Sequence, residues 1–209
     1  ELVRSLTSRD QLAVVVEEKW DRINALRMEN LRQFVPGLCG DVGNPGHLLK
    51  AGLRHPLCAG VVALSSINEV NLKVAVTTKL LRKEIKVICR ADSHDVEANM
   101  DSFGTDHIVD PFDLFSLYLA TAFHAPCLYL IQEWLSGHPR DQLADPVYPP
   151  KEGCWIVCGY GRFGKAVYKR LRDEGIDAAV IEMQPEKTGQ PQGLFVKGRG
   201  TEAVTLKEA

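Results

Sequence analysis

No Cys-x-x-Cys pair, no Ser in a nucleophile elbow, no marked charge excess and no clean apolar run of membrane-spanning length occur in this sequence. The first absence removes zinc-ribbon and dithiol chemistry. The six cysteines sit mostly inside apolar runs (Cys58, Cys89, Cys127, Cys154, Cys158), which reads as reduced, buried thiols in a cytoplasmic protein. The second absence, with no Cys–His pair suggested by spacing, leaves no set of nucleophile, base and acid and shifts the weight from enzyme to sensor. Lys and Arg number 25 against 27 Asp and Glu, so the net charge of −2 gives no footprint for nucleic acid or an anionic membrane. The longest apolar stretch, Leu114 to Leu135, is interrupted by His124, Pro126, Gln132 and Glu133. It reads as a buried or partner-facing helix kinked near Pro126, not as a membrane span. No secretory signal is visible. The chain starts at Glu1 without a Met and ends on a helical pattern, so it is expected to be a piece of something longer.

What is present is an ordinary globular composition, 45% hydrophobic and 25% charged in 209 residues, enough for one large or two small domains. Strands are predicted at 12–16, 60–64, 85–89 and 107–109, and helices at 20–34, 44–51, 68–83 and 93–103. Pro111 opens the long apolar helix. Residues 137–151 read as a linker, with Pro139, Pro146, Pro149 and Pro150 and little periodicity. His94, His107 and His124 show no metal-ligand spacing, and Glu97 and Asp101 read as one solvated helix face. No metal is expected.

The chemistry concentrates after the linker. An apolar run, Cys154 to Cys158, ends in Gly159-Tyr160-Gly161-Arg162-Phe163-Gly164. A helical stripe follows through Phe163, Val167 and Leu171. A second apolar run, Ala178 to Ile181, ends on Glu182, eighteen residues past Gly164. This is the strand, turn, helix, strand and acid order of a dinucleotide-binding βαβ unit. Gly159 allows a tight exit from the strand, Gly161 a close approach of pyrophosphate, and Gly164 close packing of helix on sheet. Unpaired amides at the helix N-terminus attract phosphate oxygens. Arg162 is placed to clamp a phosphate or lies solvated. Glu182 suits a ribose diol and repels a 2′-phosphate, which favours NAD(H) or an unphosphorylated adenosine ribose.

The unit has a faint earlier copy. Ala13 to Glu17 matches Ala178 to Glu182, and Gly40-Asp41 before His47 to Ala51 matches Gly198-Arg199 before Thr205 to Ala209. The first copy lacks its leading strand and glycine turn, and the second stops after its front half. Read with Val62 to Ser65, Asn68-Glu69-x-Asn71-Leu72, Ile88 to Ala91 and Gly104 to Val109, the pattern resembles the RCK or TrkA-N domain, the regulator of K⁺ conductance. The resemblance covers nearly the whole chain apart from the linker.

That resemblance implies an α/β fold, a Rossmann-like doubly wound parallel sheet, with one nearly complete unit plus the front half of a second. The expected division is 1–136 with a C-terminal crossover helix, 137–151 as linker and 152–209. It implies a cytoplasmic module, the soluble part of a membrane-associated potassium channel or transporter, that binds NAD(H) or an adenine nucleotide (ATP, ADP or AMP). It also implies a homodimer or larger ring, paired through helix 112–136, acting on a membrane pore. Carried over by position, the second copy's site is Gly159, Gly161, Arg162, Phe163, Gly164, Glu182, Gly198 and Arg199. The first contributes Glu17, Asp41, Ser65 and Arg90. Asp41 either caps the next helix or faces adenine or ribose, and Ser65 either caps a helix or lines the ligand edge. Arg90 meets either a phosphate or an interdomain carboxylate. Two other readings stand beside this one: a fragment of an NAD-dependent oxidoreductase, and an assembly module with a vestigial turn. The strand at 154–158 is a candidate to fill the first copy's vacancy.

Overall fold

The computed structural model describes residues 1–137, 142–146, 148 and 153–209. Of the linker expected at 137–151, residues 138–141, 147 and 149–151 lie outside that set. The chain divides into two compact units, Glu1–Asp110 and Pro111–Ala209.

In the first unit, α1 (Leu2–Ser8) leads to β1 (Val15–Glu17), α2 (Trp20–Met28), β2 (Gly37–Cys39) and α3 (Pro45–Lys50). β1 and β2 pair in parallel, with Glu17 opposite Cys39. α2 stops at Met28 rather than reaching Phe34, because Glu29 turns extended and Pro36 lies ahead. α3 starts on Pro45, and Asn44 caps it by accepting the Gly46 N–H at 2.8 Å. Then come β3 (Gly60–Ala63), α4 (Asn68–Leu81), β4 (Lys86–Arg90), α5 (His94–Ser102) and β5 (His107–Val109). β3, β4 and β5 form a second parallel sheet in that order. The helix–strand alternation with parallel pairing is the doubly wound class expected. Its core is aliphatic: Leu53, Val74, Ala75, Val87, Cys89 and Met100 are buried together. β1 and β2 form one sheet, of two strands, and β3, β4 and β5 another, of three.

The second unit opens with α6 (Pro111–His124) and α7 (Pro126–Ser136). The single kinked helix expected is two helices, broken at Ala125, because Pro126 has no N–H to continue the ladder and takes the first position of α7. β6 (Trp155–Cys158), α8 (Arg162–Asp173), β7 (Ala178–Glu182), α9 (Pro185–Thr188), β8 (Phe195–Lys197) and α10 (Ala203–Glu208) follow. Strand order is β6-β7-β8, all parallel. β6 therefore leads its own sheet and pairs with β7.

α6 lies alongside α8 in the same direction. Phe112 meets Phe163 at its start, and His124 Nε2 reaches Glu174 Oε2 at 3.4 Å at its end. Its buried stripe is Phe112, Ser116 and Ala120, spaced four apart, with two small residues that let the helices approach. Helix 111–136 was expected to close the first unit. By packing it sides with the second. The cysteines also differ from expectation. All six are free, but Cys89 alone is buried, with its thiol pushed up to about 11 by burial, and Cys127, Cys154 and Cys158 are exposed. Cys158 ends β6, the first strand in the order of its sheet.

Candidate nucleotide site

The site is built at the carboxyl edge of β6-β7-β8. Gly159 leaves β6 at φ +99°, a conformation that a side chain strains, while its N–H holds the Ile181 carbonyl at 2.7 Å. Gly161 is the N-cap of α8, and a Cβ added there would meet nothing within 4 Å. That open face is where a phosphate can approach the backbone. Gly164 is the opposite case: a Cβ would lie 1.9 Å from the Gly159 carbonyl oxygen. One glycine turns the chain, one bares it, and one lets the helix sit on its own turn.

Glu182 ends β7 and ties the turn to it. One carboxylate oxygen accepts the Tyr160 N–H and the other the Gln184 N–H, each at 2.7 Å. The Gln184 amide first, and then the Tyr160 amide, hold the carboxyl below the usual Glu range. Each carboxylate oxygen has a further lone pair, so a ribose hydroxyl can still donate to it. Gly198 donates to the Glu182 carbonyl at 3.1 Å, and a Cβ on it would strike Thr205 at 2.6 Å. A Cβ on Gly200 would strike the Cys158 sulfur at 2.7 Å, so this loop lies directly on the end of β6. Arg199 Nε donates to the Met183 sulfur at 3.2 Å. Gly159, Gly161, Arg162, Phe163, Gly164, Glu182, Gly198 and Arg199 are thus brought to one edge. The Phe163 ring turns toward α6, so what it offers a ligand is its backbone N–H. The residues fit a phosphorylated nucleoside: an open glycine at a helix start, an arginine as the first residue of that helix, and an acceptor at the next strand end.

The first unit repeats half of this arrangement. Glu17 accepts the Lys19 N–H at 3.1 Å, as Glu182 does from Gln184, but its other oxygen takes Arg22 at 3.1 Å. Burial pushes its carboxyl up, and the Lys19 amide and Arg22 outweigh that, leaving it below the usual range. Gly40 donates to the Glu17 carbonyl at 3.0 Å and would strike the His47 ring at 2.7 Å, the counterpart of Gly198 against Thr205. Asp41 accepts the Gly43 N–H at 2.7 Å in a local turn, and it is Asn44 that caps α3. Ser65 Oγ accepts the Ile67 N–H at 3.1 Å, tightening the entry to α4. Arg90 ends β4. Glu17, Asp41, Ser65 and Arg90 each lie at, or two residues past, the end of a strand.

The residue that sequence reasoning left without a role is Asn71. It is fully buried, accepts the Ser65 N–H at 2.8 Å and donates to the Ser65 and Arg90 carbonyls at 2.9 Å each, clasping the ends of β3 and β4. Its signal was a polar side chain on the same helical stripe as Val74, Ala75 and Thr78.

Away from the turn, Glu97, Asp101, Thr105 and Asp106 border an open depression. Asp106 is already held by Lys79 at 2.5 Å, Lys86 at 2.8 Å and the Val87 N–H at 2.8 Å. Among the described residues, no group of three His, Cys, Asp or Glu side chains is placed to hold a metal ion, and no helix is long and apolar enough to cross a membrane.

The model of the TrkA-N domain matches residues 1–111 and 155–209. The chain belongs to the TrkA-N family. Residues 112–154, which hold α7 and all of α6 but Pro111, lie outside the match. The family's architecture extends to solved structures. The RCK domain of GsuK superposes with a TM-score of 0.71 over 99% of this chain and 58% of that one, at 18% identity. GsuK bound to ADP gives 0.69, with 99% and 46% covered at 21% identity. The GsuK channel bound to NAD gives 0.70, with 99% and 48% covered at 17% identity. At such identities the likeness is one of fold. This TrkA-N chain spans about half the length of those GsuK chains. Among curated proteins, none matches it.

Proposed function

We propose that this chain is a nucleotide-sensing regulatory module of a potassium channel or transporter, acting on the cytoplasmic side of a membrane pore. The ligand is NAD(H) or an adenine nucleotide, held at the glycine turn of the second unit. The observation that carries this reading is the contrast between Gly161, open to solvent with no atom near a would-be Cβ, and Glu182, fixed across from it by the Tyr160 and Gln184 amides. GsuK structures bound to ADP and to NAD share the fold and support this ligand class.

In this reading residues 1–136 are one TrkA-N unit whose leading strand and glycine turn are not among these residues, with a C-terminal crossover helix; 137–151 are a linker and 152–209 the front half of a second unit. Leu114, Leu117 and Tyr118 on α6, with Leu128, Ile131 and Leu135 on α7, expose an apolar surface suited to pairing with a second copy in a dimer or ring. A nucleotide shifts such an assembly only through unequal affinity for its two arrangements, and a tenfold difference supplies about 1.4 kcal/mol per site.

Calorimetric titration of NADH, ATP, ADP and AMP into the folded chain tests the reading. Micromolar-range binding by at least one, lost in Gly161→Asp, is the expected result. A folded protein that binds none of the four ends it.

A further inference from the structure

We infer that the phosphate end of the site is completed from outside the fingerprint, by α6, where Phe112 positions the guanidinium of Arg162. The inference rests on the nucleotide reading above and adds a residue fifty positions upstream of the one it acts on (112 against 162).

Arg162 is the first residue of α8, immediately after the N-cap Gly161. An arginine at that place has a long side chain with many rotamers, and fixing it on a ligand costs entropy. Here its guanidinium carbon lies 4.9 Å over the centre of the Phe112 ring. Phe112 is itself held fast. It is 7% exposed, and its ring meets Phe163 edge-on at 4.4 Å and 82°. Phe163 also meets Phe115 edge-on at 5.5 Å. Two side chains of the phosphate turn, Arg162 and Phe163, are thus gripped by one end of α6. Stacking engages the face of the guanidinium, whereas an anion is bound through the N–H fork in its plane, so both contacts can be made together. The stack therefore keeps the cation within the first turn of α8 before a phosphate arrives.

The consequence is reciprocal. Whatever factor Phe112 contributes to phosphate affinity, a bound phosphate returns to the packing of α6 on α8. Two side chains of the glycine fingerprint, those of Arg162 and Phe163, touch α6. Phe112 is a positioning residue: it acts through Arg162 and touches no ligand.

The test is a double-mutant cycle on the full chain, read by calorimetry with ADP and with adenosine. Phe112→Leu keeps apolar volume and removes the π face. It should weaken ADP about two- to fivefold and leave adenosine unchanged, since adenosine has no phosphate for Arg162 to meet. Arg162→Ala should weaken ADP about tenfold, and adding Phe112→Leu to it should cost nothing more. Phe112→Tyr, which keeps the ring face, should bind ADP as the wild type does. If Phe112→Leu does not fold, judged by circular dichroism, Phe112→Met replaces it with the same expectations. Equal loss for ADP and adenosine, an additive double variant, or unchanged ADP affinity in Phe112→Leu overturns the inference alone. A wild-type chain that binds no ADP or NADH overturns the nucleotide reading and this inference with it.

Discussion

Gly161 and Gly164 sit three residues apart in one motif, and the structure assigns them opposite sensitivities to the same methyl group. At Gly164 the new Cβ lands 1.9 Å from the Gly159 carbonyl oxygen and 2.8 Å from its carbon, about 1 Å inside the 3.0 Å below which real Cβ contacts essentially never fall. Both offending atoms are backbone, so no rotamer relieves them. The turn and α8 must separate, and α8 carries the buried Tyr168 and Leu171. Overpacking of this kind costs about 3 kcal/mol. With an m-value of roughly 1.5 kcal/mol/M for a unit of this size, the urea midpoint of Gly164→Ala falls by about 2 M. At Gly161 the backbone is at φ −70°, open to any residue, and the methyl meets no atom. Gly161→Ala should keep its unfolding free energy in urea within about 0.5 kcal/mol of the wild type. Its nucleotide affinity should nonetheless drop at least about tenfold, because the methyl stands where the phosphate must approach the amides. Denaturation followed by circular dichroism and ADP titration by calorimetry read the two axes separately. A stable Gly164→Ala, or a Gly161→Ala that binds ADP as tightly as the wild type, refutes this account of the turn.

Glu182→Gln should lower stability by about 1 kcal/mol at pH 7, since the amide nitrogen of Gln faces one of two backbone N–H donors that the carboxylate accepted. Because the native carboxyl is held below its usual value of 4.5, that stabilisation is present above pH 4.5 and is lost as pH falls through the lowered value. The gap between wild type and variant in urea should therefore narrow as the pH falls below 4.5, and a gap independent of pH would contradict the assignment. Asn71→Ala should cost about 3 kcal/mol, as it strands three backbone groups at the ends of β3 and β4. A loss under about 0.5 kcal/mol in urea denaturation would mean those groups find other partners. Asp106→Asn should cost about 2 kcal/mol at neutral pH, because Lys79, 14% exposed, is left without its charge partner. An unchanged thermal midpoint would refute it.

The glycine fingerprint was legible because each of its residues obeys a local rule: a positive φ at Gly159, an open cap at Gly161, a backbone contact at Gly164. Glu182 was legible from its distance along the chain. The internal copy was legible too, and Gly40 and Gly198 prove to be set against His47 and Thr205 in matching positions. What sequence did not yield were facts of long-range packing. Nothing in the spacing of α6 said that Phe112, Ser116 and Ala120 would face α8 rather than the sheet that precedes them. An apolar stripe names a buried face, not the surface that buries it. Cys158 illustrates the same limit from the other side. An apolar strand suggested a buried thiol, but the strand is an edge, and edge position is a property of the sheet and not of the segment.

The two acids differ in a way that bears on the proposed site. Glu17 and Glu182 end equivalent strands and take the same amide two residues on. Their second oxygens differ. Glu182 takes the Tyr160 N–H, an amide of the glycine turn, and so ties the end of β7 to that turn, the two parts of the proposed site. Glu17 takes Arg22, a long exposed side chain on its own following helix. A surface pair of that kind contributes about 0–1 kcal/mol and holds nothing across a cleft. Among the described residues, the carboxylate that is tied to a glycine-turn amide is that of the second unit, which is why the proposed phosphate berth is placed there.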